Sequence, residues 1–218
     1  MDLAEIKLYR MTHIGNIEHI LKNGITHRNS ANHNPNFKAI GDITLINTRD
    51  TKQVTVDNGD FLDFGASTIT LGDFIPFYFG VKMPMLYVIQ NGGNFVTKAT
   101  PASEIIYMVC SVSTIIKQYK DFYFSDGHAT DNLTSFYDQT KVDDLPKIID
   151  WNAVRASYWG GQENLNVKRK KQAEFLVPGD VAPNLIIGFG CYNDAAKKTL
   201  IGFGIKEDKI KVIPNAYY

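Results

Sequence analysis

Only two cysteines, Cys110 and Cys191, occur in 218 residues. Each sits among apolar neighbours, in Met108-Val109-Cys110 and Phe189-Gly190-Cys191, the setting of a buried free thiol in a reducing compartment. No apolar run reaches the roughly 20 residues of a membrane-spanning helix, and the N-terminus lacks a signal-peptide layout. These absences predict a soluble, cytoplasmic chain without membrane contact. Neither sign of charge is in excess, with 23 Lys+Arg against 23 Asp+Glu. Without a global basic field, any contact with nucleic acid has to come from a local patch. Low-complexity segments are missing too.

Several familiar signatures are incomplete. Gly188-Phe189-Gly190 and Gly202-Phe203-Gly204 open like a dinucleotide fingerprint, but the third glycine position holds Asn193 in one and Glu207 in the other, which argues against a Rossmann site. There is no Gly-Lys-Ser/Thr phosphate loop and no Gly-x-Ser-x-Gly elbow. His13, His19, His27, His33 and His128 lack companions at metal-ligand spacing, so no metal is expected.

What is present reads as interleaved strands and helices. Ile6–Arg10 alternates as a first strand, and Gly15-Asn16 opens a helix that Gly24 closes. Residues 26–41 read as a long loop, and Ile43–Ile46 as a short strand or turn leading to Arg49. Residues 50–72 suggest a hairpin or excursion, of the length that is usually functional. Phe74–Phe79 is a strand in which Pro76 signals an edge or bulge, and Met83–Ile89 a short helix. Ile105–Ser111 is a buried strand, Thr114–Gln118 a helical turn, and Phe122–Phe124 a strand ended by Ser125-Asp126-Gly127. Helices are expected at 131–139, 150–159 and Asp194–Leu200, and strands at Ala173–Val177, Leu185–Ile187 and Ile210–Ile213. The irregular interleaving predicts an α+β fold with a mixed, mostly antiparallel sheet, in one domain spanning 1–218.

Chemistry concentrates in Lys168-Arg169-Lys170-Lys171-Gln172-Ala173-Glu174-Phe175-Leu176-Val177. With Ala173, Phe175 and Val177 inward, alternation would set Gln172 and Glu174 together on the opposite face. A plain edge strand with a solvated face explains that pattern equally well, and the basic run equally reads as solvated. Gln-x-Glu on a strand also resembles the arrangement of many ADP-ribosyltransferases, which implies cleavage of a glycosidic bond. The carboxylate can stabilise an oxocarbenium-like ribose, and the amide can align an acceptor. Basic residues leading into the site suit phosphates. At the first strand's end, Tyr9-Arg10-Met11-Thr12-His13-Ile14-Gly15-Asn16 offers a histidine for ribose hydroxyls, although such a histidine often caps or packs. Arg49 could bind a pyrophosphate or sit near an acceptor; a surface arginine is the plainer alternative.

Taken in order, Tyr9–Asn16, Ile75–Phe79, Pro84–Ile89, Phe124–Ala129 (Phe-Ser-Asp-Gly-His-Ala) and Lys168–Val177 closely resemble the DarT family of DNA ADP-ribosyltransferase toxins of bacterial toxin–antitoxin systems. The resemblance runs from about Leu8 to Tyr217-Tyr218. It implies an ADP-ribosyltransferase-like fold with a central split sheet and flanking helices. NAD is the implied ADP-ribose donor, single-stranded DNA the acceptor, and an antitoxin that removes the modification the partner of a monomeric toxin. Carried over by position, Glu174 is the catalytic glutamate and Arg49 a catalytic or NAD-contacting arginine. Thr12, His13 and Asn16 match the NAD-binding segment, and Tyr78 flanks the nicotinamide pocket. Gln172, Lys170 and the motif histidine His128 are expected on the DNA side.

One departure bears on the acceptor. Thymine-modifying members carry Pro-Arg-Ser-Pro-Met-Leu after Phe-Tyr-Phe, where this chain has Val81-Lys82-Met83-Pro84-Met85-Leu86. The segment from Gln53 to Leu71 is also longer than in that branch. Both features resemble the guanine-modifying branch, whose antitoxin is a NADAR-type hydrolase rather than a macrodomain. Guanine is therefore the expected acceptor, with thymine the alternative. A transferase acting on RNA or protein, or a non-enzymatic nucleic-acid-binding module, are the competing readings.

Overall fold

The structure, a computed structural model, describes residues 2–56, 66–93, 96 and 98–218. Strands are β1 (Lys7–His13), β2 (Gln53–Val56), β3 (Ser67–Thr70), β4 (Phe74–Tyr78), β5 (Ile105–Ser111), β6 (Tyr123–Ser125), β7 (Phe136–Asp138), β8 (Glu174–Pro178), β9 (Gly188–Cys191) and β10 (Ile210–Val212). Helices are α1 (Ile17–Asn23), α2 (Ile43–Thr51), α3 (Pro84–Asn91), α4 (Val112–Gln118), α5 (Leu145–Ile148), α6 (Trp151–Arg155), α7 (Leu165–Lys171) and α8 (Asp194–Gly202). Eight strands form one sheet in the order β10-β9-β5-β1-β4-β8-β6-β7, and β2 pairs with β3 as a separate hairpin. Every pairing in the large sheet is antiparallel except β9 with β10. The mixed, mostly antiparallel expectation holds.

The sheet parts in its middle. β1 pairs with β5 along its whole length, from Lys7↔Ser111 to His13↔Ile105, but meets β4 only at Tyr9↔Tyr78. Pro76 lies where β4 has left β1, so its missing N–H costs no ladder bond on that side; its carbonyl accepts instead from Arg10 Nη1 at 2.8 Å. The main core fills around the sheet with Leu8, Phe77, Met108, Phe124, Phe175 and Val177, the alternate apolar positions of their strands. α1 ends at Gly24, whose φ of +82° suits glycine. A Cβ there would lie 2.1 Å from the Val181 carbonyl oxygen. Both cysteines are buried and free, and burial pushes the Cys110 thiol up to about 12. Among the described residues no helix is long and apolar enough to cross a membrane.

Four local expectations need correction. Residues 43–51 form helix α2 where a short strand or turn was expected at Ile43–Ile46: Asp42 accepts from the amides of Thr44 and Leu45, the cap that starts a helix. Residues 131–139 hold β7 rather than a helix, paired to β6 at Phe124↔Tyr137. The strand expected at Leu185–Ile187 begins at Gly188, after a short 3-10 turn over Pro183–Leu185. Helix α6 stops at Arg155, well short of 159. The hairpin anticipated within 50–72 is β2–β3, registered Gln53↔Thr70 to Val56↔Ser67; its 57–65 connection falls outside the described residues.

Candidate active site

A cavity of about 390 Å³ opens where β1 and β4 diverge. Arg10 and Thr12 of β1, Pro76 and Tyr78 of β4, and Asn16 ahead of α1 line one part. The 26–41 loop and α2 close it with Phe37, Ile40, Leu45 and Arg49. Asn16 holds that loop down. Its side-chain NH2 donates to Thr12 Oγ1 at 3.0 Å and to the Lys38 carbonyl at 2.9 Å, and its oxygen accepts from the Lys38 amide at 2.9 Å. All of this amide's bonds are internal, and Asn16 is fully buried, so it shapes the wall.

Glu174 begins β8 and is completely buried. Its register partner in β4 is Tyr78, a cavity residue. Arg49 Nη1 donates to Glu174 Oε1 at 3.1 Å and lies 2.8 Å from Oε2. The Ala129 amide donates to Oε1 at 3.2 Å. Arg49 Nη2 is buried without a hydrogen-bond partner, as is Oε2 in hydrogen-bond geometry. A buried ion pair with unmet donor and acceptor capacity is costly. It makes physical sense at a place where a bound molecule supplies the missing partners.

The loop after β6 is built to present that Ala129 amide. Asp126 accepts from Arg169 Nη1 at 2.9 Å, and Thr134 Oγ1 from the same nitrogen at 3.2 Å. The His128 amide donates to the Arg169 carbonyl at 3.0 Å. Gly127 permits the approach, since a Cβ there would lie 2.4 Å from Arg169 Nη1. Ser125 Oγ accepts from the Glu174 amide at 3.1 Å and donates to the Gly127 carbonyl at 2.7 Å. His128 lines the cavity and shares a hydrogen bond with Thr130 Oγ1 at 2.9 Å. Burial lowers its pKa below the ordinary 6.5, opposed by the nearby Glu174 charge.

The structure therefore gathers Arg49, Tyr78, His128, Thr12 and Asn16 around one cavity, sets Glu174 fully buried behind Arg49, and leaves three expected residues elsewhere. His13 is turned away from it, because β1 alternation points Thr12 inward. Its Nδ1 accepts from the Gly15 amide at 2.9 Å, and its Nε2 lies 3.1 Å from Glu104. Gln172 is not on the strand. It follows α7, with its side-chain NH2 donating to the Lys168 carbonyl at 3.1 Å. Lys170 pairs with Asp150 at 3.0 Å. Of the basic run, Arg169 and Lys171 are buried too, and Lys171 Nζ donates to the Val154 carbonyl at 2.8 Å; burial brings that ammonium down to about 8.

Sequence reasoning missed Arg10. It lines the cavity, and burial brings its guanidinium down to about 10, against the raising influence of Tyr78 and Glu174. It stays cationic at neutral pH. Its position inside the Tyr9–Asn16 motif was the available signal. Among the described residues, no group of three or more His, Cys, Asp or Glu is arranged to hold a metal.

Solved structures with the same architecture are ADP-ribosyltransferases. That of Thermus sp. 2.9 DarT in complex with ADP-ribosylated ssDNA superposes with a TM-score of 0.80 at 25% identity, over 98% of this chain and 96% of that one. The complex of that protein with NAD+ gives 0.72 at 26% identity, over 98% of each chain. In sequence, the chain is 32% identical over 173 residues to a DNA ADP-ribosyl transferase of a Thermus species, covering 78% of this chain and 73% of the relative. It is 31% identical over 194 residues to one from Escherichia coli O127:H6, covering 88% and 83%. The fold and site thus define an ADP-ribosyltransferase. The model of the family described as "ssDNA thymidine ADP-ribosyltransferase, DarT" matches residues 9–218: the chain belongs to the DarT family and is a DNA ADP-ribosyltransferase.

Proposed function

We propose that NAD fills the cavity between β1 and β4 and that Glu174 drives transfer of its ADP-ribose to a guanine of single-stranded DNA, in the cytoplasm and within one 1–218 domain. The buried Glu174 carboxylate, gripped by Arg49 and the Ala129 amide beside an open cavity, is the observation that carries this reading. NAD is the donor that the reaction class requires, and solved Thermus sp. 2.9 DarT structures contain it. Thr12 and Asn16 would frame its ribose-nicotinamide half, Tyr78 would pack near the nicotinamide, and Arg10 and the free Nη2 of Arg49 are placed to meet phosphate oxygens.

In the chemical step, the nicotinamide–ribose C–N bond breaks and nicotinamide leaves with the bonding electrons. The developing oxocarbenium charge is stabilised by Glu174, fixed beforehand by its two donors. A nucleobase nitrogen then forms the new bond to the anomeric carbon and releases one proton, which the Glu174 carboxylate or the His128 imidazole can take up. An acceptor edge buried in a duplex would be out of reach, which favours single strands.

Guanine rests on Val81–Met83 replacing the Pro-Arg-Ser of thymine-modifying relatives and on the longer 53–71 segment. Next to that segment, Lys52 Nζ donates to the Thr130 carbonyl at 2.6 Å, two residues from His128. The family description names thymidine, so thymine is the rival acceptor. Offering NAD with one oligonucleotide lacking guanine and one lacking thymine separates them. Transfer only to the thymine-free strand is expected; transfer only to the guanine-free strand overturns guanine. A relative in Thermosipho africanus is a fusion of DNA ADP-ribosyl transferase and DNA ADP-ribosyl glycohydrolase, of which this chain spans 48% at 27% identity. That supports a modification-removing antitoxin as the partner here, of NADAR type if guanine is the acceptor, with the transferase itself monomeric.

A further inference from the structure

Away from the cavity, three aromatic rings meet at the surface. Tyr87 of α3 lies 5.9 Å from Trp159 and 5.2 Å from Tyr218, edge to face in both cases. Trp159 Nε1 donates to the Tyr218 hydroxyl at 2.7 Å. Tyr87 remains 47% exposed and Tyr218 38%, with Tyr158 at 67% next in sequence to Trp159. Rings of this size in one exposed group are unusual unless something covers them. Two lysines accompany them: Lys82 Nζ stands 5.1 Å from the Tyr218 ring centre and Lys168 Nζ 5.4 Å from that of Trp159, within cation–π range.

The patch is held in place and borders a basic cleft. Lys82 adopts a φ of +57°, an uncommon geometry for a lysine. It is pinned on both sides, its amide donating to Tyr107 Oη at 3.1 Å and its carbonyl accepting from Tyr218 Oη at 2.8 Å. The neighbouring cleft, of about 470 Å³, is lined by Lys7, Lys82, Arg155 and Lys171 with Glu5 as its one acidic side chain. Lys171 and Lys7 are spent on the carbonyls of Val154 and Ala4, which leaves Lys82 and Arg155 for an anion. Fixed rings alternating with cations are the combination that binds single-stranded nucleic acid with little regard to sequence: bases stack on the rings, and the backbone follows the positive groups.

We propose that Tyr87, Trp159 and Tyr218, with Lys82 and Lys168, form a stacking platform for single-stranded DNA lying beyond the acceptor base. This rests on the reading of the chain as a single-strand DNA transferase. The platform binds flanking nucleotides and takes no part in bond making. A short acceptor that ends near the site never reaches it, whereas a long one does.

The test compares wild type, Trp159→Ala and Lys168→Glu. Binding of a fluorescent single-stranded 15-mer is measured without NAD, and transfer is measured with a trinucleotide and a 15-mer as acceptors. About tenfold weaker 15-mer binding is expected for Trp159→Ala. KM for the 15-mer should rise similarly, while kcat and all trinucleotide kinetics stay put. Lys168→Glu, an exposed change, should weaken 15-mer binding and flatten its salt dependence by about one unit of slope. Unchanged 15-mer binding in both variants overturns the platform, as does an equal loss on both acceptors. A concentration-dependent dimer that Trp159→Ala dissolves, seen by sedimentation, would assign the rings to a second copy and overturn it too. Because binding is read without NAD, it is separate from the catalytic reading, which fails instead if wild type modifies neither acceptor.

Discussion

Two clefts border β1, and they handle charge in opposite ways. In the cavity beside Arg10, Thr12 and Tyr78, the ionic groups face each other: Arg49 holds Glu174, and Arg169 holds Asp126 behind it. In the cleft beside Lys7 and Phe79, Lys82 lies over the Tyr218 ring and Arg155 over that of Trp151, Lys7 and Lys171 donate to backbone carbonyls, and one carboxylate, Glu5, stands among them. Low-dielectric surroundings strengthen the first set and make any change in it expensive, whereas salt screens the second. The first arrangement suits stabilising a charge that forms at one atom, the second gripping a long polyanion. Disrupting the former should change turnover, and disrupting the latter should change affinity and its response to salt.

The comparison breaks most sharply at Glu174. Glu174→Gln keeps the acceptor for the Ala129 amide but removes the charge opposite Arg49. Transfer should fall roughly 10²–10³-fold, with NAD affinity, measured by calorimetry, little altered. Leaving Arg49 uncompensated should also lower unfolding free energy by about 3 kcal/mol, so turnover is best read well below the melting midpoint. Near-normal turnover in folded protein would sink the assignment of Glu174. A smaller effect is expected one contact back. Asp126→Asn leaves Arg169 without its counter-ion and loosens the 126–135 loop that presents the Ala129 amide. A loss of roughly tenfold in kcat follows if that amide must be held in place, with unchanged KM for a trinucleotide and unchanged response to salt. A loss confined to KM would instead attach Asp126 to DNA binding.

The smallest effect concerns pH. His128 has its pKa lowered by burial, so the unfolded chain binds a proton more readily than the folded one there. Its contribution to stability is complete above the ordinary value of 6.5 and is lost as pH falls through the lower folded-state value. Urea denaturation at pH 7.5 and 5.5 should therefore show a larger acid-side loss for wild type than for His128→Gln. Equal losses would mean that His128 carries its proton in the folded state.

The strands β4, β5 and β10 and the helices α3 and α8 were legible because their apolar spacing and turn residues agree with the fold. Helix α2 was not. Ile-Thr-Leu-Ile-Asn-Thr-Arg-Asp-Thr has no apolar stripe and buries no side chain, so its start is marked by the Asp42 cap alone. The Lys168–Lys171 run misled for another reason. Basic runs are usually solvated, but here the helix turns Arg169 and Lys171 inward to particular acceptors that lie far off in sequence. Arg10 escaped notice because a cation inside an alternating strand is normally taken for an outward position. Its partner, the Pro76 carbonyl, is freed only by the parting of β1 from β4. Motif order pointed to Glu174 and Arg49; the Ala129 amide between them, being backbone, leaves no mark in side-chain chemistry.

The sheet order has a consequence for how the molecule comes into being. β1 ends up flanked by β5 and β4, and β4 in turn needs β8 as its other neighbour. Arg49 and Glu174 are separated by 125 positions in the chain. Closing so long a loop is slow and must come before the contact repays it. During synthesis the half of the site that carries Arg49 therefore waits, without its carboxylate, until β8 has left the ribosome. A nascent chain that includes Arg49 but stops short of Glu174 holds a guanidinium without its counter-charge, so this ion pair closes only once β8 has been made.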